Sequence, residues 1–211
     1  DEYGGSLENR MRFGLEVIDA VRQATDDSFV LGARLSGNDF VKGGNTNQEW
    51  QQIAQAFAQK GVDFFNVTGG WHETKVPQIT MGVPHGAFVY LAAGIKSTVD
   101  VPVITSNRIN DPRLADEFIR QGLTDMVNMG RPLIADPDLP NKAKNGDLDL
   151  VQQCLACNQG CFDSIFSEKP VQCVVNPLVS REHELQLSPA QQSKKVVVIG
   201  GGVAGMKTAL V

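Results

Sequence analysis

The chain has no excess of positive charge. Its 19 lysines and arginines are outnumbered by 24 aspartates and glutamates, a formal net charge of −5 over 211 residues. A basic face of the kind that binds nucleic acid is therefore not expected. No apolar run approaches the ~18 residues that cross a bilayer, so no membrane partner is expected. The opening Asp1-Glu2-Tyr3 is acidic and lacks the pattern of a secretory signal. Cysteine is scarce: Cys154, Cys157, Cys161 and Cys173 are the whole supply. Cysteines bunched in one segment, with nothing else pointing to secretion, favour metal or cluster ligation over disulfides and imply a cytoplasmic location. A starting methionine is also missing, and the chain stops inside the helix of a nucleotide-binding motif. Both features are expected of an internal piece of a longer protein.

What is present is a regular alternation of helical and strand-like stretches from about residue 7 to 145. Ser6 can cap a helix whose apolar face is Leu7, Met11, Leu15, Ile18 and Val21. A strand-like run follows at 29–35. Thr46 and Glu49 have capping-box spacing, ahead of a stripe of Trp50, Ile53, Ala54 and Phe57 that Gly61 can end. Trp50 is assigned to core packing. Further strands are expected at 64–68, 101–106 and 126–129, with helices near 87–98 and from Pro112, capped by Asp111, to Gly122. The stretch Gly61-Val-Asp-Phe-Phe-Asn-Val67 is echoed by Gly122-Leu-Thr-Asp-Met-Val-Asn-Met129. Repeated helix–Gly–strand units mean an α/β fold, either a (β/α) barrel or a doubly wound sheet. Periodicity does not choose between them. In both, ligand groups gather at the C-terminal ends of strands.

Two motifs carry chemistry. The first is Cys154-x2-Cys157-x3-Cys161-x11-Cys173. Four thiolates suit a [4Fe–4S] cluster or a structural zinc, and three cysteines packed within eight residues lean towards the cluster. The second is Lys195-Val-Val-Val-Ile-Gly-Gly-Gly-Val-Ala-Gly205, read as a buried strand followed by G-x-G-x-x-G. Gly200 permits the tight turn, Gly202 lets a pyrophosphate approach, and Gly205 allows close helix–strand packing. Residues 181–194 read as a linker.

The opening Asp1-Glu-Tyr-Gly-Gly-Ser-Leu-Glu-Asn-Arg-Met-Arg-Phe13 resembles the signature of the old yellow enzyme family. The cysteine segment and glycine-rich turn resemble that family's larger iron–sulfur subgroup. Gly69-Gly-Trp-His-Glu73, Thr105-Ser-Asn-Arg-Ile-Asn-Asp111 and Cys154-Leu-Ala-Cys-Asn-Gln-Gly-Cys161 look like its bacterial 2,4-dienoyl-CoA reductases. The resemblance implies three regions. Residues 1–149 form the second half of an FMN-binding TIM (β/α)8 barrel. Residues 150–193 form a [4Fe–4S] segment and linker. Residues 194–211 begin a Rossmann-like FAD/NAD(P) domain.

By this resemblance Arg34 lies near the pyrimidine side of FMN, and Arg108, Gly130 and Arg131 form the FMN-phosphate region. A salt-bridged barrel arginine and a surface charge remain the plainer readings of Arg34 and Arg108. His72 is implied in proton donation, with a tyrosine of the missing half barrel. Glu73, Thr74, Lys75 and Val76 are implied to line the substrate pocket. Gly200, Gly202, Val203, Ala204 and Gly205 are implied to contact FAD, and the four cysteines to hold the cluster. The implied activity is reduction of a 2,4-dienoyl-CoA thioester, with electrons passing from NADPH through FAD, [4Fe–4S] and FMN. An amine dehydrogenase of the same subgroup and a zinc-stapled binding module are the alternatives.

Overall fold

A computed structural model describes residues 2–71, 74–185 and 188–210. They divide into two compact units, Asp1–Ser180 and Arg181–Val211.

The first unit is built on strands β1 (Gly32–Leu35), β2 (Phe64–Val67), β3 (Val103–Thr105) and β4 (Met126–Val127). All neighbours are parallel, and the order β1-β2-β3-β4 follows the chain without reversal. A doubly wound sheet reverses at a switch point, whereas a barrel wall runs in sequence. The observed order is that of a barrel wall. Helices α1 (Leu7–Ala24), α2 (Asn47–Gln59), α3 (Val89–Lys96) and α4 (Pro112–Arg120) alternate with the strands. Two short helices, α5 (Gly130–Ala135) and α6 (Leu139–Asn145), follow β4, and a third, α7 (Phe162–Phe166), lies in the cysteine segment.

Strand side chains alternate between two faces. Leu35, Phe65, Val67, Val103 and Thr105 are buried on the helix side with Ile53, Ala54, Phe57, Leu91 and Ile95. The other face carries the register row Arg34, Asn66, Ile104 and Met126, none of them fully buried.

The expected caps are present. Ser6 Oγ accepts from Asn9 N, and Thr46 with Glu49 makes a complete capping box. Asp111 accepts from Arg113 N with Pro112 in the first turn. Each motif acts within four residues, so its chemistry is complete in the local sequence. Trp50 is half-buried, and its indole N–H donates to Asp39 Oδ1 at 3.1 Å.

The internal echo has a structural cause. Asp63 accepts at Oδ2 from Leu31 N at 2.7 Å and from Arg22 Nη2 at 2.6 Å. Asp125 accepts from Val103 N at 2.9 Å and from Lys96 Nζ at 2.5 Å. In each case a carboxylate opening one strand takes an N–H at the start of the preceding strand and a cation from a helix. The repeated glycine ahead of it, Gly61 or Gly122, has positive φ (95° and 71°) and turns the chain from helix to strand.

Two strand expectations need correction. The run expected at 29–35 pairs only from Gly32, and Phe29 and Val30 are 51% and 67% exposed. The segment 195–199, expected as a buried strand, is in the second unit. It pairs with no strand among the described residues, and Ile199 is 95% exposed. An apolar β-run is buried only if other strands flank it, and this unit has none. Its helix α8 (Val203–Leu210) does follow the glycine turn as expected.

Asp125→Ala leaves the buried Val103 N–H without its acceptor. It is expected to cost about 1–3 kcal/mol in urea unfolding at neutral pH. Burial pulls the Asp125 pKa upward, but Lys96 and the Val103 N–H outweigh it and hold it below the ordinary carboxylate value. A depressed folded pKa contributes stability that is full above the unfolded value and lost as pH falls through the folded one. The difference between wild type and variant should therefore shrink below about pH 4.

Candidate functional site

The site grows from the ends of β1, β3 and β4. Just past β3, Asn107 (φ 73°) and Arg108 (φ 54°) are consecutive left-handed residues, a costly backbone for non-glycine side chains. The turn is pinned from several sides. Ser106 Oγ donates to Val67 O at 2.7 Å, and Asn107 Nδ2 donates to Thr68 Oγ1 at 3.2 Å. Gly86 N donates to Arg108 O at 2.9 Å. Arg108 is thereby folded inward, 7% exposed, with Nε donating to Val83 O at 2.8 Å.

From the end of β4, Gly130 and Arg131 open α5. Arg131 Nη1 donates to Ile79 O at 2.8 Å and to Asn158 Oδ1. Arg34 comes from β1. These four residues, each expected from the sequence, line one cleft of about 530 Å³. None of the three arginines makes an ion pair among the described residues. Burial, then repulsion from Arg131, pushes the Arg108 guanidinium below its ordinary pKa, against an opposing pull from Cys154. Arginine remains charged at neutral pH all the same. Clustered guanidinium groups without a carboxylate are a receptor for an anion, and the fork geometry suits phosphate.

The cysteine segment forms the far wall. Ala156, Phe162 and Ile165 line the same cleft, as does Cys154. All four cysteines line a second, narrow cleft that shares Cys154 and Arg131 with the first. The loop is shaped by left-handed Ala156 (φ 54°) and Asn158 (φ 63°), and Ala156 N donates to Cys154 Sγ at 3.4 Å. Gly160 lies against the returning strand of chain. Gln172 N donates to Gly160 O at 2.7 Å, and a Cβ on Gly160 would stand 2.6 Å from Gln172 O. That contact brings Cys173 beside the other three.

Three buried polar residues fasten the segment to the α/β unit. Asp136, 4% exposed, accepts from Gln152 N at 2.8 Å and from Lys142 Nζ at 2.7 Å. Asn110 Nδ2 donates to Cys154 O at 2.6 Å, and Asn176 Nδ2 to Ile134 O at 2.9 Å. No three His, Cys, Asp or Glu among the described residues are grouped tightly enough to hold a single metal ion.

The other expected residues are not gathered here. His72 and Glu73 lie outside the described residues. Thr74, Lys75 and Val76 do not line the arginine cleft; Thr74 Oγ1 donates to Phe40 O at 3.3 Å, and Lys75 and Val76 are exposed. In the second unit Gly200 has φ 112°, and a Cβ on Gly205 would stand 2.0 Å from Gly200 O. The third glycine of the motif is thus required by close approach of helix and turn, as its spacing predicts. Asn107, Asn110, Phe162 and Ile165 line the cleft without having been assigned any part in it. The polar run after β3 was the one available signal for the asparagines.

Comparison with known proteins supplies the family. The model of the "NADH:flavin oxidoreductase / NADH oxidase family" matches residues 1–149. A metal reductase of Desulforamulus reducens is 52% identical over the whole chain, which covers 32% of that protein. An N,N-dimethylglycine/sarcosine dehydrogenase of Chromohalobacter salexigens is 42% identical over the whole chain, again covering 32%. Among solved structures, a 2-naphthoyl-CoA reductase in complex with 2-naphthoyl-CoA superposes with a TM-score of 0.94 at 38% identity. That superposition covers 99% of this chain and 32% of the other. The chain spans about a third of the length of these relatives. With its parallel α/β wall and its family match over 149 residues, the chain belongs to the NADH:flavin oxidoreductase / NADH oxidase family, that of the old yellow enzymes.

Proposed function

We propose that the chain forms part of a longer iron–sulfur flavoprotein that reduces a carbon–carbon double bond conjugated to a thioester carbonyl, a 2,4-dienoyl-CoA or a related enoate. Residues 1–149 supply the second half of an FMN-binding barrel, 150–193 the [4Fe–4S] segment and linker, and 194–211 the start of an FAD domain that takes electrons from NADPH. The observation that carries the reading is the sharing of Cys154 and Arg131 between an arginine-lined cleft and a four-cysteine cleft. Two redox groups seated there would be neighbours.

The residues lining the arginine cleft suit a phosphorylated flavin. Arg108 and Arg131 are the fork for the FMN phosphate, with Gly130 leaving room beside them. Arg34, on the open face of the sheet, places a cation where negative charge develops on a reduced flavin. Phe162 and Ile165 give the apolar wall that a planar ring system needs. When bound, flavin supplies hydride transfer and a cluster supplies one-electron steps between flavins. His72 is proposed to hold the proton delivered near the thioester carbonyl, a task suited to imidazole near neutral pH. Glu73, Thr74, Lys75 and Val76 are proposed to border the substrate. In the second unit Gly200, Gly202, Val203, Ala204 and Gly205 are proposed to receive the FAD pyrophosphate at the start of α8. The conjugated-thioester reading draws support from the 2-naphthoyl-CoA reductase likeness. The dehydrogenase relative at 42% identity favours amine oxidation as the second reading. Amine-dependent bleaching of the flavin, with no dienoyl-CoA turnover, would establish that second reading.

Arg108→Met and Arg131→Met are expected to raise the FMN dissociation constant roughly 10- to 100-fold each, measured by flavin fluorescence. Unchanged affinity would remove the phosphate assignment. Anaerobically prepared protein is expected to hold about four irons and four sulfides per chain. Gly160→Ala, which drives Gln172 aside, should lose most of both. About one zinc and no sulfide would favour a structural knuckle instead. The 211-residue chain alone carries four strands with open edges and should show no NADPH-dependent dienoyl-CoA reduction. Turnover by the isolated chain would contradict the need for the rest of the barrel.

A further inference from the structure

Asn110 is 5% exposed, lines the arginine cleft, and is used at only one end. Its Nδ2 donates to Cys154 O at 2.6 Å, but its Oδ1 is buried without a partner among the described residues. The amide cannot be turned round to relieve this, because Oδ1 would then face the Cys154 carbonyl, acceptor against acceptor. A buried acceptor left unsatisfied is expensive, so it calls for a donor that arrives from the cleft. The surrounding arginines select an anion. An unprotonated phosphate oxygen or a ring carbonyl only accepts, so neither pairs with Oδ1. An O–H or N–H of the ligand would have the donor that Oδ1 calls for.

We propose that Asn110 is a two-ended positioning residue. Its Oδ1 accepts from a hydroxyl of the phosphorylated polyol chain of the cleft's ligand, while its Nδ2 fixes the carbonyl of Cys154. The ligand and the first cysteine of the cluster segment then stabilise one another through a single side chain. This rests on the flavin reading above. Coupling between sites is reciprocal, so flavin tightens the cysteine segment by the same factor that an assembled segment tightens flavin. Cys154 is the hinge of that coupling, because it lines both clefts.

The test uses the complete polypeptide, prepared without oxygen and stripped of flavin, as wild type, Asn110→Leu and Asn110→Ala. Two probes are titrated: FMN, and an analogue in which a plain pentyl phosphate chain replaces the ribityl phosphate. In wild type FMN should bind more tightly than the analogue. In both variants FMN should weaken by roughly 10-fold while the analogue changes little. A general packing defect would weaken both probes equally, and that result overturns the proposal. The second readout is the rate at which a chelator removes iron. FMN should slow it in wild type and have little effect in the variants; equal protection in all three also overturns the coupling. If wild type binds neither probe, the flavin reading itself fails and this inference falls with it. Wild-type binding with variant-independent selectivity fails the inference alone.

Discussion

Like charges are held together in one cleft: Arg108 and Arg131, with Arg34 on β1, have no carboxylate among the described residues to separate them. Most of the local architecture serves to impose that arrangement. Two left-handed residues after β3 fold Arg108 inward. Backbone carbonyls of Val83 and Ile79 take guanidinium hydrogens that would otherwise attract a carboxylate. Carbonyl acceptors satisfy the hydrogen bonds but leave the positive charge uncompensated. The fold therefore carries an electrostatic cost that an anionic ligand relieves, so binding and stability are linked.

Much of the fold is legible in the sequence where the determining chemistry is local. Ser6, the Thr46–Glu49 box and Asp111-Pro112 each mark a helix start within four residues, and each is present. The echo at Gly61 and Gly122 was visible as a repeat, but its meaning was not. The carboxylates of Asp63 and Asp125 act on Leu31 and Val103, more than twenty residues away in both cases. The same distinction explains the misreading of 195–199. An apolar β-branched run says only that a segment can be buried; which strands flank it lies elsewhere in a fold.

The site divides along the same line. Spacing marks the four cysteines as a set, and all four line one cleft. It does not reveal that Gly160 has to be glycine, since the reason is Gln172 coming back against it. The arginines could be placed by motif resemblance, whereas Asn110 became informative only through the pairing of its two ends. A buried amide with one end satisfied is a tertiary fact with no sequence signature.

The connection between the two clefts follows from how the cysteine segment is fastened. Asp136 holds Gln152, Asn110 holds Cys154, Arg131 holds Asn158 and Asn176 holds Ile134. Each of these ties runs between the segment and the chain from β3 to Asp136, the stretch that also builds much of the arginine cleft. A displacement of the segment would therefore move Phe162 and Ile165, one wall of that cleft, along with Cys154. Conversely, a ligand wedged between that wall and the arginines resists the displacement. With Gln153 Nε2 donating to Asp111 Oδ2 at 3.2 Å, five polar ties are few against the entropy of ordering a loop with little regular structure. Under the proposed reading, occupants of the two clefts would add to these ties, and the two clefts would behave as one composite site.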